Sequence, residues 1–163
     1  MDGRNTALIT ALLLISTLLV YPGPLVPEVA ASIQGDAPPA SGDWVIEQNT
    51  TLIDEELTIT GNLSITNNSV LTLENVNLTV GGSFLQLNTG AAIQANDTWI
   101  YGGRLTIPAG SIVNMNNSGL DFDEILISSS QVTIANSQIY VDDTNGITLL
   151  APALLRDNQI FDR

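Results

Sequence analysis

The sequence predicts an all-β fold, a single-stranded parallel β-helix (solenoid) of about five to six coils, each ~20–22 residues long with three short strands. Three observations carry this expectation. Asn or Asp followed three residues later by Leu or Ile recurs at Asp54/Leu57, Asn75/Leu78, Asp97/Ile100, Asn117/Leu120, Asn136/Ile139 and Asp157/Ile160, in steps of 19 to 22 residues. Two further apolar ladders keep step with it: Leu63, Leu85, Leu105, Ile125 and Ile147, then Leu71, Ile93, Ile112, Val132 and Leu154. Within a rung, apolar residues alternate at a period of two, as in Leu57/Ile59, Leu71/Leu73 and Ile125/Ile127, which is the period of a strand and not of a helix.

The chain opens on a segment of another kind. Arg4 precedes an apolar stretch from Ala7 to Tyr21 whose only polar members are Thr10, Ser16 and Thr17, and Pro22-Gly23-Pro24 ends it. As a helix those residues would span about 22 Å, short of the ~30 Å hydrocarbon core, so residues 1–31 read as a signal peptide, with a retained N-terminal anchor as the alternative. A buried helix capping the stack is a third reading. The small residues of Val29-Ala30-Ala31 suit cleavage before Ser32. Residues 32–43, with Ala37-Pro38-Pro39-Ala40, read as a flexible linker.

Residues 44–163 form the expected parallel β-helix. It begins with an incomplete coil at Trp44-Val45-Ile46, where Trp44 is expected to cover the end of the stack. One coil cannot bury its own apolar face, so coils must stack about 4.8 Å apart, each pairing its backbone with the next. The residues between ladders are turn formers: Thr66-Asn67-Asn68-Ser69, Gly81-Gly82-Ser83, Gly102-Gly103, Asn116-Asn117-Ser118-Gly119 and Asp142-Asp143-Thr144-Asn145-Gly146. The recurring Asn/Asp would sit at one corner of every coil, either as a turn former or as a stacked side-chain ladder. Ile160-Phe161-Asp162-Arg163 opens a rung without a polar cap, so 44–163 reads as an incomplete portion of a longer β-helix, or as one whose end another subunit covers.

Composition narrows the function classes. The 163 residues contain no Cys and no His, the only basic residues are Arg4, Arg104, Arg156 and Arg163, and the net charge is -13. Phosphate binding needs clustered Lys and Arg, so nucleic acid is excluded as a partner. Six Asn-x-Ser/Thr sequons, at Asn49, Asn62, Asn67, Asn77, Asn96 and Asn116, fall at or beside expected turns and are candidate glycosylation sites in an exported chain. The dense acids Asp121, Asp123, Asp142 and Asp143 are candidate calcium ligands, on the reading that Asp121 and Asp142 occupy equivalent places one coil apart. No other cofactor is implied. Tyr101, Tyr140 and Phe161 should point outward in a row interrupted at Asp121, facing a ligand or only one another, while Phe122 should point inward.

The stretch from Val132-Thr-Ile-Ala-Asn-Ser-Gln-Ile to Asp157-Asn-Gln-Ile-Phe resembles the right-handed parallel β-helix repeats of the pectate-lyase-like superfamily. The stretch from Leu57-Thr-Ile-Thr-Gly-Asn-Leu-Ser-Ile through Leu71-Thr-Leu-Glu-Asn-Val-Asn-Leu-Thr-Val is similar to the opening coils of exported archaeal β-helix proteins. The resemblance implies a right-handed coil and a secreted or cell-surface location. Its polygalacturonase-like members carry paired carboxylates with Gly-His-Gly and Arg-Ile-Lys segments, and this chain has neither His nor Lys. Its pectate-lyase-like members join carboxylate-bound calcium to an arginine base, for which only Arg104 and Arg156 stand on the stack. The leading expectation is therefore a non-enzymatic exported or cell-surface module with a structural, adhesive or envelope role. One alternative is a polysaccharide-binding or polysaccharide-cleaving β-helix; another is a self-assembling surface or filament subunit joined through its open ends. Expected partners are polysaccharide, other cell-surface proteins or further copies of the chain, with the membrane touched only by an uncleaved N-terminal segment.

Overall fold

The structure, a computed structural model, describes residues 32–66 and 68–163; the leader expected over 1–31 and the sequon at Asn67 lie outside them. The described residues hold strands and no helix. In chain order the strands are β1 (Ser32–Gln34), β2 (Trp44–Ile46), β3 (Thr50–Ile53), β4 (Glu56–Ile59), β5 (Leu63–Ile65), β6 (Val70–Glu74), β7 (Asn77–Val80) and β8 (Phe84–Leu87). There follow β9 (Ala92–Asn96), β10 (Trp99–Ile107), β11 (Ile112–Asn116), β12 (Gly119–Ile127), β13 (Val132–Ala135), β14 (Gln138–Leu149), β15 (Leu154–Arg156) and β16 (Gln159–Asp162). They stack in parallel as a β-solenoid of about six turns.

Two of the three sequence ladders stand in register as read. Leu57, Leu78, Ile100, Leu120, Ile139 and Ile160 are successive backbone partners. So are Leu63, Leu85, Leu105, Ile125 and Ile147, and Trp44 heads that column as a core residue, 2% exposed. The third ladder is corrected by one residue at two rungs. Ile93 pairs with Val113, not Ile112, and Leu154 pairs with Thr133 and faces out, so that Ala153 and Leu155 take the inward places. A one-residue slip reverses the face of every side chain in a strand, and the adjacent Ile112-Val113 and Leu154-Leu155 pairs left either choice open to pattern reading.

Three separate strands per coil hold only in the first turns. β10 and β14 run unbroken through Gly102-Gly103 and Asp142–Gly146, segments expected to be turns, and β12 runs unbroken between them, so that two ladders join in one nine-stranded sheet. The third ladder forms a seven-stranded sheet facing it across a core of Leu, Ile and Val, with Phe122 fully buried between them. The expected linker is docked instead of free. β1 pairs antiparallel with β3, because the unpaired backbone groups of the first edge strand offer hydrogen bonds that a short reversed segment can take.

The recurring corner has a backbone cause. Asp54, Asn75, Asp97, Asn117, Asn136 and Asp157 all adopt positive φ, between 50° and 55°. Of the non-glycine residues Asn and Asp enter that region most readily, since a short polar side chain can bond locally. Their side chains are partly laddered: Asn75 Nδ2 donates to Asp54 Oδ1 at 2.7 Å, and Asn117 donates to Asp97.

The next residue turns inward and builds a second ladder, one the sequence reading missed. Val76 N–H donates to Thr98 Oγ1, Thr98 N–H to Ser118 Oγ, Ser118 N–H to Ser137 Oγ at 3.1 Å, and Ser137 N–H to Asn158 Oδ1 at 2.9 Å. Each hydroxyl in turn donates to the carbonyl two residues before it. Ser137→Ala removes one rung and strands the buried Ser118 N–H, while the Ala135 carbonyl keeps its bond from Asn117 N–H, so urea unfolding should show a loss of about 1–3 kcal/mol. An unchanged midpoint would refute the ladder's role.

Candidate functional site

Outward positions of the nine-stranded sheet bring the sequence candidates together around β10, β12, β14 and β16. Register places Tyr101, Asp121, Tyr140 and Phe161 in one column, so the predicted aromatic row stands on successive coils with Asp121 inside it. Its interruption is filled by Trp99, which was not among the residues expected in the row. The indole lies over Gly119, its partner one coil on, where any Cβ would overlap the ring. From there Trp99 stacks on Tyr101 with centroids 5.8 Å apart and approaches Tyr140 at 6.1 Å. Tyr140 and Phe161 stack at 4.7 Å and 16°. A glycine in the column before Gln138 is the signal that marks room for the indole. These rings turn their faces toward one another, the geometry of a ladder that steadies the sheet.

The acids divide into two groups. Arg163 reaches back two coils and sets its guanidinium between Asp121 and Asp123, with Nη1 2.9 Å from Asp121 Oδ1 and Nη2 2.9 Å from Asp123 Oδ1. The first is a charge contact without hydrogen-bond alignment, and that Oδ1 is shielded from solvent. Burial, and secondarily the Asp121 charge, holds the Tyr101 phenol above its ordinary value.

Asp142 does not join them, because its expected equivalence to Asp121 fails. Tyr140 partners Asp121 and Val141 partners Phe122, and the register then shifts, so that Gly146 pairs with Glu124. Residues 142–145 therefore stand against the single Asp123, a bulge that a count of equal steps does not see. Asp142 accepts hydrogen bonds from the N–H and hydroxyl of Thr144, which with the Arg163 charge hold its carboxyl below the usual range. For Asp143 only the backbone is described. Among the described side chains no group of three acids stands close enough to hold a metal ion.

Beside the row the bend of the nine-stranded sheet forms an open cleft of about 610 Å³, with Gly82 and Gly103 in its floor and Arg104, Asp123, Glu124 and Asn145 on its walls. Arg104 Nε donates to Glu124 Oε2 at 2.5 Å, and the arginine side chain is exposed.

The sequons differ in how their amides are engaged. Asn62 Nδ2 donates to Asp43, Asn96 Nδ2 to Asp97, and Asn116 Nδ2 to Asn96. Asn49 accepts from Val70 N–H through Oδ1, and Asn77 stands exposed on β7. A glycan bonded to Nδ2 displaces one of its hydrogens, so Asn49 and Asn77 fit that modification with least disturbance among the described sequons. No family model, curated protein or solved structure matches the chain.

Proposed function

We propose that this chain is a non-enzymatic β-helix module of an exported or cell-surface protein, coiled in the right-handed sense of the pectate-lyase-like superfamily, with a structural, adhesive or envelope role. One observation carries the reading: the conspicuous groups of the described surface are engaged with one another. The rings stack within and between coils, Arg104 and Arg163 pair with carboxylates on other coils, and Arg156 pairs with the adjacent Asp157. Such a surface is a rigid scaffold whose side chains act on the fold itself. The apolar stretch from Ala7 to Tyr21, with Ala30-Ala31 before Ser32, supports export.

The full chain with a C-terminal tag, expressed in a secreting host, should appear outside the cytoplasm or accessible to protease on intact cells, with Ser32 as its first residue if the leader is removed. Intact chain confined to the cytosol would overturn the reading. The cleft beside Arg104 favours a second reading, binding of a polysaccharide. In that case a panel of cell-wall glycans should give binding that Arg104→Ala weakens at least tenfold.

A further inference from the structure

Five of the six sequons lie on described coils, and the fold divides them by what it does with each acceptor amide and with the hydroxyl two residues on. At three of them both ends of the amide are held. Asn62 Nδ2 donates to Asp43 Oδ1 at 3.1 Å while its Oδ1 accepts from Phe84 N–H at 3.2 Å. Asn96 Nδ2 donates to Asp97 Oδ2 at 2.5 Å while its Oδ1 accepts from Asn116 Nδ2, and Asn116 Oδ1 in turn accepts from Asn136 Nδ2 at 2.8 Å. At the last two the hydroxyl is out of reach as well. Thr98 and Ser118 are 0% and 5% exposed, and each donates its hydroxyl to the carbonyl of the sequon asparagine itself.

Asn77 and Asn49 differ on both counts. Asn77, Leu78 and Thr79 lie on β7 with Leu78 in the core, so alternation sets the acceptor amide and the hydroxyl on one outward face. Asn77 is exposed, and among the described residues its amide has no hydrogen-bond partner. Trp99, its partner on the next coil, sets its ring over Gly119 on the side away from it, which leaves the acceptor open. Asn49 repeats the pattern at the entry to β3. The intervening Thr50 is buried, Thr51 is partly exposed, and the amide is engaged through Oδ1, which accepts from Val70 N–H at 3.0 Å. Its Nδ2, the atom to which a glycan is attached, has no partner among the described residues.

We propose that Asn49 and Asn77 are the acceptors of N-linked glycans in the exported chain, to the exclusion of Asn62, Asn96 and Asn116. The assignment rests on the export reading above. The donor is an oligosaccharide activated as a lipid-linked phosphate or diphosphate and brought by a transferase. Asparagine Nδ2 bonds to the anomeric carbon as that carbon's bond to the phosphate oxygen breaks; one Nδ2 proton passes to a base of the transferase, and the lipid-linked phosphate or diphosphate leaves. A transferase that reads the sequon must reach amide and hydroxyl together. Among the described sequons, folded coils offer it both, with Nδ2 unbound, at β7 and at the entry to β3.

The test expresses the full chain with a C-terminal tag in a eukaryotic host that secretes and N-glycosylates, both as it stands and with a host secretion signal fused ahead of Met1. Secreted chain is treated with peptide N-glycosidase, which turns each glycan-bearing asparagine into aspartate. Mass spectrometry should find that conversion at Asn49 and Asn77 and unchanged asparagine at Asn62, Asn96 and Asn116. Asn49→Gln and Asn77→Gln should each lower the mass of the untreated secreted chain by one glycan. Secreted chain bare at Asn49 or Asn77 overturns the assignment at that residue, and glycan at Asn62, Asn96 or Asn116 overturns the selection by the fold. The fused signal carries the chain into the secretory pathway whatever its own leader does. Glycans at Asn49 and Asn77 of that form, with the unfused chain kept in the cytosol, therefore support the two acceptor sites and overturn the export reading alone.

Discussion

Phe122→Ala lowers the free energy of unfolding by about 3–5 kcal/mol, the range for truncating a fully buried aromatic whose surroundings cannot collapse. Phe122 is the largest side chain with no exposure, and it lies at the bend where the two halves of β12 meet. Gly102, its partner on the preceding coil, leaves it room, since a Cβ there would stand 2.8 Å from its Cε1. Both neighbouring coils are tied by backbone ladders to β12, so neither can slide inward to fill the void. Urea unfolding followed by far-ultraviolet circular dichroism measures the loss. Phe161→Ala, at an exposed ring, should cost no more than about 1 kcal/mol in the same experiment. Equal losses at the two positions would show that the core is not packed as described.

Gly82→Ala destabilises the fold by about 3 kcal/mol or more, whereas Gly81→Ala stays near 1 kcal/mol, a contrast between neighbours that composition alone does not suggest. A Cβ on Gly82 would overlap the Gly61 backbone and stand 2.5 Å from Asn62 N, and the backbone of the coil above cannot swing aside. On Gly81, itself exposed, a Cβ would meet Ile59 O at 3.0 Å, where a shift of a few tenths of an ångström suffices. Gly42 over Gly61 repeats the close approach at the first coil, so glycines mark the corner at which coils touch most closely. Comparing the melting temperatures of the two variants checks the pair; a larger drop for Gly81→Ala would contradict the coil spacing.

Fold class was legible because two constraints act on residues one at a time. Positive φ at a corner admits Asn and Asp, so Asp54 through Asp157 recur whatever surrounds them, and alternate burial writes Leu and Ile at a period of two. What escaped the reading depends on pairs. Ile112 and Val113 are equally apolar, and the choice between them is made by β9. Trp99 entered the aromatic row because Gly119, a coil away, leaves space for its ring. Asp121 and Asp142 parted company because the four residues of 142–145 face one on β12. The docking of Ser32–Gln34 was hidden for a similar reason, since a Gly- and Pro-rich composition reports chain stiffness but not a vacant strand edge nearby.

The buried hydroxyl ladder gives the solenoid a polarity along its axis. Every rung leaves its corner N–H to be met by a side chain from the coil that comes later: Thr98 waits for Ser118, Ser118 for Ser137, and Ser137 for Asn158. The corner is therefore polar along the stack: seen from any coil, the amide donor faces the coil that follows and the side-chain oxygen faces the coil before.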